Sequence, residues 1–83
     1  MVRNMKATYR KLQIVSQDRM SVLEYGGVKV REDRDNGYTI CAIEHGALYP
    51  VGKYYSMEKV QAILSEVLYH ANNGKTHYYM PAD

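Results

Sequence analysis

The residues of this 83-residue chain that could do chemistry are one cysteine, three histidines, nine acids and eleven lysines and arginines. Their spacing argues for binding over turnover. His45, His70 and His77 fall at a strand end, a helix end and in the C-terminal tail, without the i, i+4 spacing that sets two ligands on one helical face. No metal site and no cofactor is expected. A single cysteine, Cys41, leaves neither an intrachain disulfide nor a thiolate zinc cage open. As a nucleophile Cys41 would need His45, yet four residues along a strand separate the two by about 13 Å. Cys41 therefore reads as a small buried hydrophobe. Glu32, Asp33 and Asp35 flank a turn, where solvation and turn chemistry explain them better than acid-base work. The chain carries no dinucleotide fingerprint, phosphate loop, zinc-protease motif or nucleophile elbow. No catalytic residue is expected, and the chain reads as no enzyme.

Recognition groups are more plentiful. All nine aromatic residues are tyrosines, each a large rigid ring with one hydrogen-bonding handle, which suits wet binding surfaces and strands alike. Two clusters combine cations with these rings. One is Lys53, Tyr54 and Tyr55; the other is Lys75, Thr76, His77, Tyr78 and Tyr79. A cation beside a tyrosine can contact a phosphate while the ring stacks a base. The competing reading is that alternate tyrosines pack into the sheet and helix while the lysines are solvated. Arg31 and Arg34 add positive charge that Glu32, Asp33 and Asp35 largely cancel. The candidate ligand-binding residues are thus Arg31, Arg34, Lys53, Tyr54, Lys75, His77, Tyr78 and Tyr79.

The elements that must position them follow from periodicity. Residues 11–16 have strand composition, 19–25 favour a strand over a short helix, and 28–33 alternate apolar with charged. Asp35-Asn36-Gly37 is a hairpin signal, and the return strand 38–45 is apolar on both faces, hence central. The segment 47–55 is strand-like, with Pro50 removing a ladder donor and so marking an edge or a bulge. Ser56 is the N-cap of a helix whose apolar face is Met57, Val60, Ile63, Leu64, Val67, Leu68 and Ala71, and Asn72, Asn73 and Gly74 supply left-handed conformations to end it. A strand-like tail, Thr76 to Met80, stops at Pro81. The expected fold is α+β: an antiparallel meander of about four strands, one C-terminal helix packed on one face, and a short strand-like tail.

A single domain of this size buries only about 60% of the surface its unfolded chain exposes. Without disulfide or metal, self-association is the stabilising route left, so a homo-oligomer is expected. The charge of +2 is mildly basic. Arg3, Lys6, Arg10 and Lys11 precede the first acid, so residues 1–10 read as a flexible basic extension, with Met5 as an alternative start. No apolar run reaches membrane-spanning length and no secretory signal is evident, which points to the cytoplasm. The helix exposes acids and amides with only Lys59, which ranks a nucleic-acid-binding regulator low.

Three stretches carry a resemblance: IVSQD at Ile14–Asp18, GKYYSMEKVQAIL at Gly52–Leu64 and YYMPAD at Tyr78–Asp83. Together they look like small proteins of Firmicute phages and prophages, which begin I-x-S-Q-D-G, continue through a meander into a G-x-Y-S-x-E-E-K-A helix start, and end in Y-x-x-P. Arg19 stands here where those proteins carry glycine, and the basic N-terminal extension is additional. Some of them are similar to phage anti-Thoeris sponges, oligomers that hold a cyclic nucleotide immune signal in pockets between protomers. The resemblance implies a phage anti-defence protein that sequesters such a signal in the host cytoplasm without catalysis. The alternative is a small phage inhibitor, anti-CRISPR-like, that docks on a host protein through a sheet face or strand edge.

Overall fold

The computed structural model describes residues 11–83, so the basic extension over residues 1–10 and the Met5 start lie outside the described residues. The expected α+β architecture with one C-terminal helix is present. Among the described residues six strands divide into two three-stranded sheets.

The first sheet is built from chain ends. Strand β1 (Gln13–Val15) pairs antiparallel with β2 (Val22–Glu24) and parallel with the last strand, β6 (His77–Tyr79). The tail therefore pairs within its own chain. The β1–β2 connection is a polar knot: the Ser16 hydroxyl donates to the Asp18 carboxylate at 2.6 Å, and Asp18 accepts the Met20 N–H at 2.9 Å. Arg19 takes φ 64°, a left-handed conformation that favours glycine.

The second sheet is the meander. Strand β3 (Val28–Glu32) pairs with β4 (Tyr38–Glu44), and β4 with β5 (Ala47–Tyr54), all antiparallel. The β3–β4 turn falls on the expected residues but is not the two-residue Asn-Gly turn: residues 33–37 separate the strands, Asn36 takes φ 69° while Gly37 does not take a positive φ, and the Gly37 N–H donates to Asp35 at 3.0 Å. Between β4 and β5 lie His45 and Gly46 at φ 51° and 81°, the two-residue turn whose twist suits a hairpin. Where Pro50 predicts an edge or a bulge, the register slips: Cys41 faces Pro50 while Ile40 faces Gly52, leaving Val51 as the extra residue.

Helix α1 (Met57–Asn72) starts at Ser56, whose side chain accepts the Lys59 N–H at 3.3 Å. At its far end Asn73 is not left-handed; Gly74 alone takes that conformation, at φ 68°. The Lys75 N–H then reaches back to the His70 carbonyl at 3.1 Å, closing a Schellman-type cap. Val60, Ile63 and Val67 bury fully against β4, β5 and β6, whereas Met57 and Leu68 lie on the exposed margin of the stripe. They meet Ile14 and Tyr78 of the first sheet and Ile40, Ala42, Val51 and Tyr54 of the second in one core. Cys41 is buried on the other face of β4. Among the described residues no helix is long and apolar enough to cross a membrane.

Candidate functional site

Register brings three polar side chains into one row on the sheet face away from the helix: Arg31 of β3, Thr39 of β4 and Lys53 of β5. Beside the row stand the acids of the β3–β4 turn. The Lys53 ammonium sits 3.1 Å from Asp33 and 3.0 Å from Asp35, Arg31 Nε lies 3.0 Å from Asp33, and the Thr39 hydroxyl also donates to Asp33. Those donors, Thr39 first, then Arg31 and Lys53, hold the Asp33 carboxyl down at about 2. Asp35 is lowered mainly by Lys53, and Lys53 is in turn raised to about 12 by its bonds to Asp35 and Asp33. The Tyr55 hydroxyl donates to Asp35 at 3.1 Å, with the Lys53 ammonium 5.4 Å from the centre of its ring.

This row lines an open cleft of about 320 Å³ together with Gln17, Asp18, Pro50, Val51 and Gly52. Arg31 reaches the cleft with its terminal nitrogens unbonded among the described residues, since Nε alone engages Asp33. Asp18 has its charge held by the Ser16 hydroxyl first and then the Met20 N–H, which lower its pKa below the ordinary carboxylate value.

Of the eight residues the sequence singles out, the cleft gathers two, Arg31 and Lys53. Arg34 is exposed at the turn between Asp33 and Asp35, without an ion pair among the described residues. Tyr54 and Tyr78 point inward and belong to the core. The Tyr54 hydroxyl donates to the Pro81 carbonyl at 2.7 Å, and burial pushes it up to about 12. Tyr78 donates to the Glu66 carboxylate; burial first, then Glu66, raises it further. Their rings are packing and anchoring groups, which makes them unavailable to a surface ligand. Lys75, His77 and Tyr79 are exposed elsewhere, at the end of α1 and along β6. There the His77 and Tyr79 rings stack at 6.2 Å, with the Arg19 guanidinium 5.3 Å from the Tyr79 centre. The clusters after Gly52 and after Gly74 therefore do not form one site.

Sequence reasoning did not single out Gln17, Asp18 and Thr39 as site residues. Two of them, Gln17 and Asp18, belong to the IVSQD stretch, which is the signal in the sequence that marks them. Among the described residues no group of three or more His, Cys, Asp or Glu is placed to hold a metal ion.

No protein-family model matches the chain, and neither a curated protein nor a solved structure matches it.

Proposed function

We propose that this chain is a phage-encoded anti-defence protein that sequesters a cyclic nucleotide immune signal in the host cytoplasm, binding it at the outer-face cleft without turning it over. One observation carries the reading: Arg31 and Lys53 line a single cleft with Thr39 between them, and among the described residues only Nε of Arg31 is bonded, which leaves its terminal nitrogens to a ligand. A guanidinium offered in that way takes two oxygens of a phosphate side by side. Asp33 and Asp35 balance the two cations and hold them in place, so recognition comes from directed donors more than from net positive potential. At about 320 Å³ the cleft lies at the small end of ligand sites. It suits one phosphate with its sugar, and the rest of a cyclic nucleotide would meet a second copy, which fits a homo-oligomer with pockets shared between protomers. Cys41 is buried and the three histidines lie at separate places, which supports capture over chemistry.

Calorimetric titration with cyclic ADP-ribose and with cyclic dinucleotides tests this. The expected result is saturable binding with the ligand recovered intact, weakened about 10- to 100-fold by Arg31→Ala through loss of a charged hydrogen bond. Absence of binding to every such ligand, or recovery of a cleaved product, overturns it.

A host-protein inhibitor is the second reading, favoured by a different surface. On the outer face of the first sheet Val22 and Tyr79 flank Val15, and Met20, in the turn that leads into β2, is 82% exposed. Retrieval of one host enzyme from a lysate by the wild type, and its loss in Val22→Asp, would favour this reading over the first.

A further inference from the structure

The Gln17 side chain joins three segments that are far apart in sequence. Its Oε1 accepts the Lys53 N–H at 2.8 Å, while its Nε2 donates to the Lys53 carbonyl at 3.2 Å and to the Pro81 carbonyl at 3.3 Å. Its own N–H donates to the Val51 carbonyl at 2.7 Å. Gln17 thus pairs with the outer edge of β5 as a neighbouring strand would, at the bulge where Val51 is the extra residue. The same Pro81 carbonyl accepts the Tyr54 hydroxyl, and the preceding Met80 carbonyl accepts Arg19 at 2.8 Å. The three motif stretches therefore meet at the Gln17 side chain, and Gln17 and Lys53 themselves line the cleft.

We infer that Gln17 is the positioning residue of the cleft: it sets the Lys53 backbone and latches the C-terminal segment to it, so that the shape of the cleft and the docking of residues 80–83 are coupled. The inference deepens the binding reading above and rests on it for the cleft's role, whereas the latch is measurable without any ligand. Only an amide does this work at this position. It offers one acceptor to an N–H and two donors to two carbonyls, an inventory that a carboxylate cannot supply.

The test replaces Gln17 with Glu and follows two backbone amides by NMR: the chemical shift of Lys53, and the exchange protection of Met80, whose N–H donates to the Val15 carbonyl. At neutral pH the Glu carboxylate still accepts from Lys53 but faces two carbonyl oxygens. Met80 is then expected to lose protection about tenfold, the equivalent of one to two hydrogen bonds, and the Lys53 amide to shift. Acidification restores a proton that can donate to one carbonyl, so part of the protection, corrected for intrinsic exchange rates, is expected to return. The charged and titratable groups around the latch are Lys53, Arg19, Asp18, the Asp83 carboxylate of the latched segment itself and the neutral Tyr54 hydroxyl, and the wild type, in which all of these are present, serves as their control over the same pH range. Gln17→Met, equal in length and without polar atoms to pair, is expected to lose protection at every pH and to regain none. Protection of Met80 in Gln17→Glu equal to wild type at neutral pH, or a loss that acid leaves unchanged as in Gln17→Met, overturns the inference. Failure of the cyclic nucleotide to bind the wild type is read separately and bears on the function alone.

Discussion

At the scale of single residues, the electrostatics of the cleft centre on Asp33, which accepts from Thr39, Arg31 and Lys53 at once. A carboxyl held down at about 2 contributes stability above its unfolded value of about 3.9, and that contribution is lost as pH falls through about 2. The hairpin end of the cleft is thus expected to stay tied at neutral pH and to loosen only in the window between those values. Thr39 is the largest cause of the shift, so Thr39→Val is expected to raise the Asp33 midpoint toward the ordinary carboxylate range, read by NMR titration of its side-chain carbon. An Asp33 that titrates at the ordinary value in the wild type would contradict the geometry. The Arg31→Ala loss of affinity belongs to this scale too, and since Arg31 is exposed it is expected to leave the melting temperature nearly unchanged.

At the scale of elements, α1 depends on its caps. Ser56→Ala is expected to cost about 1 kcal/mol by removing the acceptor for the Lys59 N–H, measured by chemical denaturation. Gly74→Ala is expected to cost a similar amount, about 1 kcal/mol, because the cap needs a left-handed residue there. Most of the elements were legible in the sequence. The period-two pattern of β3, the Asp35-Asn36-Gly37 turn and the Ser56 cap are local signals, and local signals survive folding. Pro50 was legible in the same way, because a missing N–H has few places to go in a sheet. What stayed hidden was non-local. Nothing in residues 11–16 or 76–80 says that β1 and β6 lie side by side and parallel, since pairing across more than sixty residues is set by how the helix returns the chain. The site shows the same division. Strict alternation sends Lys53 outward and Tyr54 inward, and Tyr79 outward and Tyr78 inward, so reading each cluster as a unit merged two faces of a strand. Gln17 was hidden because its partners, Lys53 and Pro81, come from the far half of the chain.

At the scale of the molecule, the C-terminal segment is part of the core. Tyr78 and Met80 are buried, and β6 is a strand of the first sheet. Deletion from Lys75 onward is therefore expected to unfold the chain, seen as loss of the cooperative thermal transition in circular dichroism. A truncated chain that melts cooperatively near the wild-type temperature would show that the tail is dispensable. With a domain this small, a second copy that completes the cleft would add both binding surface and stability. If the cleft is completed by a second copy as proposed, ligand and assembly are expected to rise together, because a bound nucleotide would stabilise the oligomer by mass action, most visibly when protein is dilute.

Native mass spectrometry of the protein purified from cells with an active cyclic-nucleotide defence system reads subunit number and retained ligand at once. The account predicts an oligomer carrying extra mass equal to an intact cyclic nucleotide, absent from Arg31→Ala purified in parallel. Bare wild-type chain from those same cells, or extra mass that Arg31→Ala retains in full, would contradict it.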